Sequence, residues 1–202
     1  MKENSRIENP SGTNNYMLDT KAYNEFDENP KLLAYAIQSL DYGFRYYKTD
    51  TQDWELNGFG AKVYDINCQP VRYNPNVKLP DYKGIDERLR VKYVSTAVNL
   101  MPYHTLLDGS AHLINSESKA GEMFYEILSL IKTSDRKKRP FSQHYDAFIA
   151  EATIHNNCIL ITGDTALRNT VNKYFPDRAI TMEMLIEKIE KALKEGADYD
   201  QL

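Results

Sequence analysis

Four acidic residues stand where apolar segments end or helix-patterned stretches begin. Asp19 follows Tyr16-Met17-Leu18, and Asp164 follows the run Cys158-Ile159-Leu160-Ile161-Thr162-Gly163. Asp146 heads a helix-patterned stretch, and Glu55 comes after the aromatic segment 44–49. Carboxylates brought together repel one another, so they take up protons or bind cations. A hard divalent ion answers that repulsion economically, because Mg2+ or Mn2+ accepts a few carboxylates together with waters and the phosphate oxygens of a substrate. One or two such ions activate water and stabilise an in-line displacement at phosphorus, so the chemistry expected of this set is phosphodiester hydrolysis. The same residues have a simpler use, since an aspartate after a strand commonly caps the next helix. Spacing alone leaves both uses open.

The elements that must position these acids follow from the apolar pattern. Residues 146–155, with Phe148, Ile149 and Ala152 on one face, predict a helix, and 158–162 predict a strand that stops at Gly163-Asp164. A helix carrying Leu167, Val171 and Tyr174, a strand at Ala179-Ile180-Thr181 and a helix carrying Leu185, Ile186, Ile189 and Leu193 complete the C-terminal third, with Gly196 as its stop. Nearer the start, Asn29-Pro30 supplies an N-cap and a first-turn proline for a helix with Leu32, Leu33, Ala36, Ile37 and Leu40. The segment 44–49 is β-prone. Asp86 is expected to cap a helix with Leu89, Tyr93, Val94, Ala97 and Val98, and Phe124, Ile127, Leu128 and Ile131 mark another. Residues 57–79 read as loops or a hairpin, while His104 to Ile114 fits a strand or an irregular connection equally. Helices alternating with continuous apolar strands predict a three-layer α/β/α fold with a central, mostly parallel sheet. In such a sheet the functional crevice lies beyond the carboxyl ends of the strands, the kind of position that Asp19 and Asp164 hold.

Composition bounds the rest. The chain has 202 residues, 25 Lys and Arg against 29 Asp and Glu, and a net charge of −4. That length predicts one domain, over 16–202, behind a polar, disordered lead-in at 1–15. The acidic balance excludes coating of nucleic acid by bulk positive charge and still permits a basic patch. Without a long apolar run or an N-terminal apolar signal region, the chain is expected to be cytoplasmic, with no membrane partner. Cys68 and Cys158 are too far apart in sequence to suggest a disulfide framework or a zinc site. The fifteen tyrosines are scattered, as core-packing residues are.

Tyr16-Met17-Leu18-Asp19-Thr20, Asp146-Ala147-Phe148-Ile149-Ala150-Glu151-Ala152 and Ile159-Leu160-Ile161-Thr162-Gly163-Asp164 together resemble the PIN-domain family of metal-dependent ribonucleases. The resemblance covers 16–56 and 141–187. It implies a Mg2+ or Mn2+ site formed by Asp19, Glu55 (in Trp54-Glu55-Leu56), Asp146 and Asp164, with Glu122 and Glu126 as rivals for the place of Glu55. Thr20 and Thr162 resemble the family's supporting hydroxyls, although capping or turn chemistry would use them equally well. The implied activity is endoribonuclease, in small bacterial relatives often as the toxin of a toxin–antitoxin pair, with an antitoxin or other protein partner and a homodimer as further expectations. This chain departs from the pattern in three places. Lys21 replaces a small polar residue, Thr165-Ala166 carries no extra acid after Asp164, and the stretch at about 57–115 reads as an insertion.

RNA contact needs local cations. Arg136-Lys137-Lys138-Arg139 precedes Asp146 closely and is the expected phosphate-binding run, with Arg88, Arg90 and Lys92 as a second cluster. Two other functions compete. One is a catalytically inactive PIN-like module that binds RNA or protein. The other is a haloacid-dehalogenase-type phosphohydrolase, which would need an aspartate where Lys21 stands.

Overall fold

The computed structural model describes residues 14–56, 81–94, 119–134 and 140–199. Five strands, β1 (Asn15–Leu18), β2 (Arg45–Lys48), β3 (Lys92–Tyr93), β4 (Ile159–Ile161) and β5 (Ala179–Ile180), form one sheet in the order β3-β2-β1-β4-β5. Every pairing is parallel: Tyr16 lies beside Tyr46 on one side and Ile159 on the other, and Leu160 beside Ala179. Eight helices are present among the described residues: α1 (Thr20–Glu28), α2 (Pro30–Ser39), α3 (Asp50–Leu56), α4 (Tyr82–Leu89), α5 (Lys119–Ser134), α6 (Pro140–His155), α7 (Thr165–Tyr174) and α8 (Met182–Tyr199). None is long and apolar enough to cross a membrane.

The fold is a three-layer α/β/α sandwich, and strand alternation builds its two cores. Successive side chains leave a strand on opposite faces. Tyr16, Leu18, Tyr46, Ile159, Ile161 and Ile180 therefore meet α1, α2, α4 and α8, while Met17, Leu160 and Ala179 meet α5, α6 and α7. On the first face the Tyr16 and Phe44 rings stack at 5.4 Å. On the second, Phe124 and Phe148 join α5 to α6 with ring centroids 4.6 Å apart. Each such fully buried apolar side chain contributes about 1.5–3 kcal/mol, and Phe148→Ala would cost about 3–5 kcal/mol by opening a cavity. Cys158 belongs to the second core, where burial pushes its thiol up to about 12, consistent with a small hydrophobe.

Several predicted boundaries move. The polar stretch after Asp19 is helical, because Ala22, Tyr23 and Phe26 fall on one buried stripe. Asp86 is not a cap: α4 starts at Tyr82 with the Asp81 carboxylate accepting from Gly84 N, and the chain enters β3 before Tyr93. Pro140 opens α6, so Asp146 sits in its second turn instead of at its head. Gly196 does not stop α8, which continues to Tyr199. Of the stretch 1–15, Asn14 and Asn15 are described, and Asn15 already pairs with Arg45. Of 57–115, residues 81–94 supply α4 and the edge strand β3. The 57–79 loops, His104 to Ile114 and Arg136 to Arg139 lie outside the described residues.

Candidate active site

From β1 the chain builds outward to β2 and β3, then returns to the other side of β1 for β4 and β5. The switch point of the sheet therefore lies between β1 and β4, where open parallel sheets place their ligands beyond the carboxyl ends of the strands. Asp19 and Asp164 flank that point. The Asp19 N–H donates to Ile161 O at 3.0 Å, extending the ladder one residue past β1.

Both aspartates cap helices at the carboxyl ends of the strands. Asp19 Oδ1 accepts from Thr20 N at 2.7 Å, and Asp164 Oδ1 accepts from Ala166 N and Leu167 N at 2.9 and 3.0 Å. The fully buried Thr162 hydroxyl donates to Asp19 Oδ2 at 2.6 Å and accepts from Asp164 N at 2.9 Å. One threonine thus fixes the two strand-end acids relative to each other. On the other flank, the Thr20 hydroxyl donates to Glu55 Oε2. Thr20, with its hydroxyl on Glu55 and its N–H on Asp19, and the Thr162 hydroxyl, between the Asp19 carboxylate and the Asp164 N–H, so connect three of the four predicted acids.

Glu55 reaches this edge because α3 is anchored to β1. Thr49-Asp50-Thr51-Gln52 is a capping box: Gln52 Oε1 accepts from Thr49 N at 2.9 Å, and Thr49 Oγ1 accepts from Thr51 N at 3.2 Å. Gln52 Nε2 also donates to Leu18 O at 3.1 Å, the carbonyl just before Asp19. Gln52 is fully buried, so this bond has no competing water and holds α3 at the carboxyl end of β1. The Thr-x-x-Gln spacing was the available sequence signal for this anchor.

Asp146 is buried on α6, which packs against both β1 and α3, the elements adjoining Asp19 and carrying Glu55. Of the rival glutamates, Glu126 is on the exposed side of α5, and the side chain of Glu122 lies outside the described residues. Arg88, Arg90 and Lys92 are exposed where α4 leads into β3.

Two further groups come to this edge from distant parts of the sequence. Glu25, one turn along α1, has its carboxyl pushed up by partial burial and then by the negative charges of Glu183, Asp19 and Glu28, with Lys21 opposing. Glu183, at the start of α8, is held below the usual carboxylate range by hydrogen bonds from Thr181 and its own backbone, with Arg168 adding to the effect. On the other side of β1, Lys48 ends β2 with only 2% of its side chain exposed. Its ammonium bonds Asp53 Oδ1 at 2.5 Å and Asp86 Oδ2, and lies 4.6 Å from the Tyr93 ring centroid. Tyr23 OH donates to Asp86 and Tyr93 OH to Asp53, which closes the cluster.

The acids and hydroxyls offer only oxygen donors, which suit a hard divalent cation in preference to a soft one. Among the described residues no three His, Cys, Asp or Glu side chains stand at metal-ligating spacing. The arrangement is thus an open carboxylate edge. Mg2+ is compatible with that, since it keeps several waters and needs one or two carboxylates from the protein. Comparison with family models and with curated proteins finds no match to this chain.

Proposed function

We propose that this chain is a PIN-like, Mg2+- or Mn2+-dependent endoribonuclease that acts in the cytoplasm. The observation that supports it most is the hydrogen-bonded chain Glu55–Thr20 and Asp19–Thr162–Asp164 at the switch point of a parallel sheet. The ion would bind at this edge through one or two carboxylates of the set Asp19, Glu55, Asp146 and Asp164, with water completing its shell. Thr20 and Thr162 position carboxylate oxygens, and Gln52 keeps α3 within reach of β1. A divalent ion bound there supplies water activation and charge stabilisation at phosphorus. Substrate phosphates would be met by the basic run Arg136 to Arg139, and a toxin role with an antitoxin partner, and a homodimer, belong to the same proposal. Lys21, standing where a second aspartate would be needed, weighs against the phosphohydrolase.

Asparagine at 146 and at 164 provides the test. Asn caps helices as well as Asp, so Asp164→Asn retains α7 while removing a charge, and Asp146→Asn preserves side-chain volume. Each should lower Mn2+-dependent RNA cleavage by at least about 100-fold with circular dichroism unchanged. Wild-type rates in both variants would refute the assigned site. Binding of RNA by the wild-type protein with no cleavage in either ion would identify an inactive binding module.

A further inference from the structure

Lys21 breaks a local rule. It lies in the first turn of α1, two residues after the Asp19 cap, where the helix dipole disfavours a cation. A residue set against local preference points to a gain made elsewhere. Its stem runs along Gly163, where an added Cβ would stand 3.6 Å from Lys21 Cδ. Its ammonium reaches to 3.8 Å from Asp164 Oδ2 and counters the negative charge around Glu25. The side chain is nonetheless 55% exposed, and the contact with Asp164 is a long one. Exposed pairs of this kind contribute little and exchange partners readily.

We propose that Lys21 is a substrate-contacting residue that leaves Asp164 to bind a phosphate of the RNA backbone once a divalent ion neutralises the strand-end acids. The facing groups favour that exchange. Asp19, Glu25, Asp164 and Glu183 bring negative charge to this edge, and Arg168 adds a positive charge near Glu183. Without metal, Lys21 acts as a counter-ion to these acids; a bound divalent ion takes over part of that role, which lowers the cost of turning the ammonium toward an anion. The inference rests on the nuclease reading and assigns one phosphate contact within it.

Lys21 therefore opposes the ion and assists the RNA, a pair of opposite signs that a merely structural lysine would not produce. In the protein carrying Asp146→Asn, a fluorescein-labelled single-stranded oligoribonucleotide is titrated by anisotropy in Mn2+ across a salt series, with and without Lys21→Ala. Loss of one phosphate contact should weaken binding about tenfold and reduce the salt slope by about 0.7, and Lys21→Arg should restore both. In the otherwise wild-type protein, Lys21→Ala should lower the half-saturating Mn2+ concentration for cleavage by about fivefold. Unchanged RNA affinity and slope in Lys21→Ala would overturn the proposal, as would absence of RNA binding altogether. If the wild-type protein binds RNA with the expected Lys21 dependence and cleaves none, the nuclease reading fails and the phosphate contact stands.

Discussion

Thr162→Val removes one oxygen atom from the centre of the site and replaces it with a methyl group of nearly the same size. No cavity opens, so the effect isolates polar contacts. The hydroxyl donates to a carboxylate at 2.6 Å and accepts from Asp164 N at 2.9 Å. A hydrogen bond to a charged group contributes about 1.5–3 kcal/mol. The orphaned Asp164 N–H adds less, because its bond to Thr162 is only partly buried. The expected loss is about 2–3 kcal/mol, or a fall in Tm of about 6–10 °C for a chain of this length. Urea denaturation followed by circular dichroism would measure it as a lower midpoint at constant slope. Thr162→Ser, which keeps the oxygen, should lose much less, and Thr162→Val should also need more Mn2+ to reach half-maximal cleavage. A valine variant within about 0.5 kcal/mol of wild type, the range of ordinary surface substitutions, would refute the coupling of Asp19 to Asp164 through this residue.

The buried cation and the crowded acid give two further tests. Lys48→Met removes the buried ammonium that Asp53 and Asp86 share and should cost about 3–5 kcal/mol by thermal denaturation; adding Asp53→Asn and Asp86→Asn should recover part of that loss. Glu25 is an acid whose folded value is raised, so its ionised form costs stability above the ordinary glutamate range, and that cost vanishes as pH falls below it. Glu25→Gln should therefore melt higher than wild type at pH 7 and level with it at pH 4. An equal gap at both pH values would show that charge crowding is not the cause.

Local signals carried much of the fold. Asn29-Pro30 sets the start of α2, with Asn29 Oδ1 accepting from Leu32 N at 3.3 Å. The apolar runs before Asp19 and Asp164 are buried strands, β1 and β4, and so place two acids at strand ends. What sequence missed depended on contacts between distant residues or on a weak local pattern. α1 looks polar because three residues on its stripe suffice to cover the sheet. Gly196 resembles a stop by type, yet α8 runs through it. Asp86 has the chemistry of a cap but is held within α4 by Tyr23 and Lys48, residues far from it along the chain. The raised Glu25 likewise depends on Glu183, brought close only when α8 packs beside α1 and α2.

The most direct test of the proposed activity is product analysis of a 5′-labelled RNA incubated with the purified protein in Mn2+, in Mg2+ and in chelator, beside Asp19→Asn. Direct attack of water at phosphorus leaves no 2′,3′-cyclic phosphate. The expected result is cleavage in either ion, none in chelator, no cyclic phosphate on the fragments, and at least about a 100-fold loss in Asp19→Asn. Cleavage that persists in chelator, fragments ending in a cyclic phosphate, or full activity without the Asp19 carboxylate would contradict it.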